Sequence, residues 1–221
     1  MSAQSPFRNR NGPAFELIET LRWEPDSGFV RLERHIARLA SSARQLGFLF
    51  SRPALDDRLK TVTSAGPLRV RMTLSRGGQF AVATQQFQPL PKGAVWRLAV
   101  AQTHLDAADP LIRHKTTRRE VYEAARAEYG QEEAHEVLLL NQAGQVCEGT
   151  ITNIFVEDER GRLLTPALSC GLLPGIFRAE LLAAGQATEA EMKVEDLLSA
   201  KAVHVGNSLR GLISAELLYP H

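Results

Sequence analysis

Apolar residues recur along this chain with two different periods, and the changes of period mark out its elements. In RLERHIARLASSARQLGFLF, Leu32, Ile36, Leu39, Ala43 and Leu46 fall at helical spacing. Arg34, Arg38 and Arg44 lie off that stripe, and Gly47 is a natural stop. Before this helix, residues 15–30 read as two short strands around a turn at Pro25-Asp26-Ser27-Gly28. A second helix is expected over 54–63. The period then becomes two. In LRVRMTL, Leu68, Val70, Met72 and Leu74 alternate with Arg69, Arg71 and Thr73, the pattern of a half-buried strand. A hairpin turn at Arg76-Gly77-Gly78 leads back through 80–83, and 95–100 forms a third strand of an antiparallel sheet.

The text from 103 to 116 is polar and broken by Pro110, and reads as a linker between domains. Thr117 is placed to cap a helix that ends near Gly130. A hairpin over 136–146, a strand over 151–157 and a returning strand over 163–165 follow. Pro174-Gly175 opens a further helix, VEDLLSA is a short one, and AVHVG is a buried strand running into the polar turn Asn207-Ser208. The pattern implies an α+β protein with a small N-terminal domain over 1–105 and a larger, mostly antiparallel C-terminal domain over 106–221.

Composition narrows the function. The 221 residues can bury a core without disulfide or metal staples. Lys+Arg number 26 against 25 Asp+Glu, so no basic surface speaks for a nucleic-acid partner. No apolar run approaches membrane-spanning length. Cys147 and Cys170 show no metal-binding spacing, and the six histidines do not cluster as ligands, so no metal is expected. The first thirteen residues lack the apolar centre of a secretory signal, which makes cytoplasmic location the default expectation.

Five places could carry chemistry, and each has an ordinary reading beside it. Lys115, in HKTTRR, is either a solvated basic loop residue or a lysine desolvated so that its free amine can attack a carbonyl. Glu148, in CEGTITNIF, is either a turn residue or a carboxylate that keeps a pyridine nitrogen protonated. The segment Gly171–Ile176 is either loop-to-helix punctuation or an anion site at a helix start. Arg38 is either a solvated helical arginine or a bidentate phosphate ligand. Asn207–Gly211 supplies a second turn of donors, with Arg210 as a cation for a carboxylate. A lysine, a carboxylate, a phosphate-type helix start and a polar turn, in that order, form a coherent set for pyridoxal phosphate.

At these residues the sequence resembles the class IV aminotransferases, the fold-type IV group of pyridoxal phosphate enzymes. The stretches that carry the resemblance are FELIETLRW, LERHIARLASSARQLGF, HKTTRREVYEAARA, EGTITNIFVED, LTPALSCGLLPGIFRAELL and VGNSLRGLISAEL. HKTTRR, GLLPGIFR and NSLRG are closest to the 4-amino-4-deoxychorismate lyase domain found fused to para-aminobenzoate synthase component I. The resemblance implies that Lys115 is the Schiff-base lysine and proton shuttle, and Glu148 the partner of the pyridine nitrogen. It implies that Arg38, Gly175, Ile176 and Ser208 hold the phosphate, and that Asn153 is structural. Arg210, Leu209 and Arg76 are expected on the substrate side. The implied activity is a lyase that releases pyruvate and forms para-aminobenzoate, with transamination of branched-chain or D-amino acids as the alternative. A homodimer is implied, and a separate para-aminobenzoate synthase component is the conceivable protein partner. Two positions depart from the pattern. Phe177 stands where many aminotransferases have a phosphate-binding threonine, and Glu120 where some have a tyrosine.

Overall fold

The computed structural model describes residues 15–218. The amino-terminal lead-in, on which the expectation about a secretory signal rests, lies outside the described residues. The chain forms two compact units, Met1–Phe87 with Lys115–Arg118, and Gln88–His114 with Arg119–His221. No described helix is long and apolar enough to cross a membrane.

In the first unit, strands β1 (Leu17–Glu24), β2 (Gly28–Phe29), β3 (Leu68–Leu74) and β4 (Phe80–Gln86) form an antiparallel sheet in the order β2-β1-β3-β4. The alternation in β3 is realised residue for residue. Leu68, Val70, Met72 and Leu74 are buried, and the residues between them face outward. Helix α1 (Leu32–Leu46) lays Ile36, Leu39, Ala43 and Leu46 against the core. Burial of each large side chain in that stripe stabilises by roughly 1.5–3 kcal/mol. Gly47 ends the helix in the left-handed conformation, φ +72°, where a side chain would be strained. Helix α2 (Arg52–Leu59) is capped by Ser51, whose hydroxyl accepts from the Ala54 amide.

The second unit is built on an eight-stranded mixed sheet. Its strands are β5 (Val95–Leu105), β6 (Glu136–Asn141), β7 (Val146–Gly149), β8 (Asn153–Glu157), β9 (Leu163–Pro166), β10 (Ala187–Ala190), β11 (Ala202–Asn207) and β12 (Gly211–Leu217). Their order is β10-β9-β8-β11-β12-β5-β6-β7. One face buries Leu98, Leu138, Ile154, Val205 and Ile213 in a common core. On β8 the next residue, Phe155, meets Phe177 edge-on at 6.0 Å. Phe177 belongs to helix α4 (Ile176–Ala183); helices α3 (Glu120–Ala127) and α5 (Val194–Leu198) complete the unit.

The structure departs from the expected boundary at 105/106. Strand β5 pairs in parallel with β12 and β6, so it belongs to the second sheet and not to the first. It also runs to Leu105, through residues read as linker. Strand pairing uses the backbone, so polar side chains do not end it. Where the register shifts between Val100 and His104, the Glu128 carboxylate accepts the Gln102 and Thr103 amides at 2.6 and 2.9 Å. Thr117 does not cap α3. Its amide donates to Glu16 O and its hydroxyl accepts from the Glu16 amide, both at 2.9 Å. With a bridge between Leu17 and Thr116, this ties Lys115–Arg118 to β1 and thus to the first unit.

Candidate active site

Lys115 and Arg38 are both anchored to β1. The Ile18 amide donates to the Lys115 carbonyl at 2.9 Å, so the backbone of the lysine is an extension of the sheet. The chain has five lysines, and Lys60, Lys92, Lys193 and Lys201 are exposed whereas Lys115 is half-buried.

One residue further along β1, Glu19 faces α1. Its side chain is 1% exposed. Arg38 Nε donates to Glu19 Oε1 at 2.8 Å and Nη2 to Oε2 at 2.6 Å, while His35 Nδ1 lies 2.7 Å from Oε2. Burial raises the pKa of this carboxyl, but the Arg38 charge and the hydrogen bonds from His35 and Arg38 outweigh it, and the net value is about 2. A carboxylate depressed on folding contributes stability above its unfolded pKa and loses it as pH falls through the folded value. The drop from 4.5 to about 2 corresponds to roughly 3 kcal/mol. Denaturant melts between pH 6 and 2 are therefore expected to show stability falling from about pH 4.5 downward. In Glu19→Gln that component of the fall should be missing. An identical slope in both proteins would contradict the ion pair.

In the second unit, Glu148 lies on β7 and is 4% exposed. Its Oε1 accepts the Tyr122 hydroxyl at 2.8 Å and the Leu173 amide at 3.1 Å. Burial, followed by the Glu148 charge and hydrogen bond, raises the Tyr122 pKa, so the phenol stays a donor. Leu173 leads directly to Gly175, the N-cap of α4, where no side chain caps the first turn. Asn153 Nδ2 donates to Leu173 O at 3.2 Å, and a Cβ on Gly175 would lie 1.8 Å from Asn153 Oδ1. Asn153 thus packs directly against Gly175, and a side chain there would force it to move. On the ladder, Asn153 pairs with Gly206, two residues before Ser208. Hydrogen bonds and a strand pair thus link Glu148, the Leu173–Gly175 turn and Asn153 to Gly206 on β11, the strand that runs on toward Ser208.

The last turn is organised by Asn207, whose Oδ1 accepts the Leu209 and Arg210 amides at 3.1 and 3.0 Å. Ser208 and Leu209 are buried, and the Arg210 guanidinium stands 5.8 Å from the centre of the Trp96 ring. Phe177 is accounted for by packing. A Cβ on Gly206 would come within 3.1 Å of its ring, so the position is filled against the sheet.

Arg76 lies at the end of α1, where it donates to Leu46 O at 2.8 Å and stacks 4.6 Å from the Phe48 ring centre, closing the helix terminus. Glu120 is exposed at the start of α3; the phenol at this helix is Tyr122, two residues on. Three polar residues emerge that the sequence did not single out: Glu19, Tyr122 and Glu136. Fully buried, Glu136 accepts the Thr150 amide and hydroxyl, the Ile151 amide and the Thr152 hydroxyl. It templates the turn between Glu148 and Asn153, and a Cβ on Gly149 would meet its Cγ at 2.8 Å. An acid placed just before an apolar strand was the available signal for Glu136. For Glu19 it was an acid among the buried residues of a strand.

The chain thus combines two α+β units, one with the half-buried Lys115 and the other with the buried, hydrogen-bonded Glu148. Residues 16–217 match the amino-transferase class IV family, and the chain belongs to it. A candidate aminodeoxychorismate lyase of Schizosaccharomyces pombe is 29% identical over 209 residues, covering 91% of this chain and 89% of its own. The structure of a candidate amino-acid aminotransferase from Mesorhizobium loti is 50% identical with a TM-score of 0.88, covering 92% of this chain and all of its own. That of 4-amino-4-deoxychorismate lyase from Pseudomonas aeruginosa is 25% identical with a TM-score of 0.81, covering 93% and 84%. The expected fold-type IV architecture is the one these proteins share.

Proposed function

We propose that the protein is a pyridoxal phosphate-dependent lyase that converts 4-amino-4-deoxychorismate to para-aminobenzoate and pyruvate. The observation that carries the cofactor reading is Lys115, the half-buried lysine among four exposed ones. The donor set suits the cofactor. By the family resemblance, the uncapped start of α4 at Gly175 and Ile176 and the Ser208 hydroxyl of the second unit, and the Arg38 cation of the first, would be the ligands for a phosphate. Glu148 is a buried anion for a ring nitrogen. Bound there, the cofactor supplies a ring that absorbs the charge left when the amine-bearing carbon of the substrate loses its proton. Lys115 would hold the cofactor through Nζ, and its free amine would be the base that removes that proton. Glu148 keeps the proton on the ring nitrogen, and Tyr122 and the Leu173 amide keep Glu148 in place. The ring C–O bond would then break, the side chain leaving as enolpyruvate that takes up a proton to become pyruvate, and the substrate ring would become aromatic. The substrate has two carboxylates, and Arg210 is the cation we assign to one of them. The reading includes a cytoplasmic homodimer, as in the family resembled.

Lyase relatives in two organisms, together with the lyase-like wording of HKTTRR and NSLRG, favour this reaction. The second reading is amino-group transfer, favoured by the name of the Mesorhizobium relative. Incubation of the holoenzyme with 4-amino-4-deoxychorismate separates the two. Para-aminobenzoate and pyruvate in equal amounts, with no keto acid added, are expected. A keto acid made from a branched-chain or D-amino acid, with no para-aminobenzoate, would establish the transferase instead. Arg38→Ala is expected to weaken cofactor binding by roughly 1.5–3 kcal/mol, the scale of a hydrogen bond to a charged group. A titration of the apoprotein measures this, and an unchanged affinity would remove Arg38 from the phosphate site.

A further inference from the structure

The Glu19 carboxylate is buried and held by two side chains, and the proposed reaction makes no direct use of it. It binds Arg38 through two donors on one edge of the guanidinium, at 2.8 and 2.6 Å, and His35 Nδ1 lies 2.7 Å from its Oε2. Arg38 and His35 are both on α1, and Glu19 is on β1. The amide of the preceding residue, Ile18, is bonded to the Lys115 carbonyl. One carboxylate therefore ties the arginine of the helix to the strand against which the backbone of the lysine is bonded.

An arginine side chain has several freely rotating bonds, and an anion site gains from an arginine only when the guanidinium plane is fixed beforehand. Two parallel hydrogen bonds to a rigid carboxylate fix that plane. The Arg38 side chain is only 12% exposed, so its charge also needs a buried counter-ion. Glu19 meets both requirements from a strand position that cannot move without breaking the sheet.

We infer that Glu19 is a positioning residue for the cofactor phosphate, acting through Arg38 by holding the guanidinium in its phosphate-binding orientation. This rests on the reading of Arg38 as a phosphate ligand. It makes a prediction of opposite sign to simple electrostatics. Removing a negative charge beside an anion site should by itself tighten phosphate binding, whereas loss of orientation weakens it.

The test compares apoprotein affinities for pyridoxal phosphate and for pyridoxal, which lacks the phosphate, in wild type, Glu19→Gln, Arg38→Ala and the double variant. Glu19→Gln should weaken pyridoxal phosphate about tenfold, the scale of one charge-assisted hydrogen bond, and leave pyridoxal within about twofold. The double variant should bind pyridoxal phosphate no more weakly than Arg38→Ala. Equal weakening of both ligands would mean a merely structural role and overturn the inference. So would unchanged or tighter binding of pyridoxal phosphate. If Arg38→Ala itself leaves pyridoxal phosphate unaffected, the phosphate reading of Arg38 fails and the inference with it. A loss in Arg38→Ala without one in Glu19→Gln overturns the inference alone. Should Glu19→Gln not fold, Glu19→Asp keeps the charge but withdraws the carboxylate, and the same selective loss is expected. Failure of both variants to yield folded apoprotein would show a structural role and overturn the proposal.

Discussion

Lys115→Ala is expected to abolish turnover, by about 10⁴-fold or more, while leaving the protein folded. The magnitude follows from two roles lost together, covalent attachment of the cofactor and proton removal at carbon; the second alone is commonly worth about 10²–10⁴-fold. The fold should persist because the connection to β1 runs through the backbone of this residue, with the Lys115 carbonyl accepting from Ile18. Alanine keeps that bond. Circular dichroism should therefore match wild type, and the melting temperature should shift by only a few degrees. A small primary amine added to the variant should restore part of the proton-removal step. Retention of wild-type turnover would show that the lysine has no part in the chemistry.

Glu148→Gln should lower kcat by about 10²-fold or more, the scale of losing one preorganised electrostatic group. The substitution is close to isosteric, and a glutamine Oε1 can still accept the Tyr122 hydroxyl and the Leu173 amide. What disappears is the negative charge that favours a protonated ring nitrogen. The effect should fall on kcat more than on KM, because the charge matters most as the ring takes up electrons. Steady-state assay of para-aminobenzoate release measures this. A variant within a few-fold of wild type would mean that Glu148 serves only to hold the Leu173 loop.

The two predictions concern residues that the sequence could name, and the contrast with those it could not is physical. The stripe of α1 and the alternation of β3 were legible because burial there follows the local period. Strand β10, ATEA, was not, because it carries no large apolar residue and is held by parallel pairing to β9. Strand β12 escaped for a related reason: Leu212 is exposed and only Ile213 is fully inside, so alternation is blurred. Thr103–Leu105 looked like the start of a linker although it is strand, the Thr103 amide there being satisfied by the Glu128 carboxylate and not by a hydrophobic neighbour. The candidate site divides in the same way. Lys115, Glu148 and Asn153 sit in stretches whose order of residue types could be read. Glu19, Tyr122 and Glu136 act through partners 19, 26 and 14 to 16 positions away, across different elements. The contacts of Arg76 with Leu46 and Phe48, 30 and 28 positions away, were equally out of reach of the local pattern.

Attachment of the cofactor to one particular side chain is the claim on which the rest depends. The holoprotein, loaded with pyridoxal phosphate, can be reduced with borohydride, digested and analysed by peptide mass spectrometry. The expected result is a phosphopyridoxyl group on Lys115, with none on Lys60, Lys92, Lys193 or Lys201. A label confined to another lysine, or none at all, would contradict the assignment.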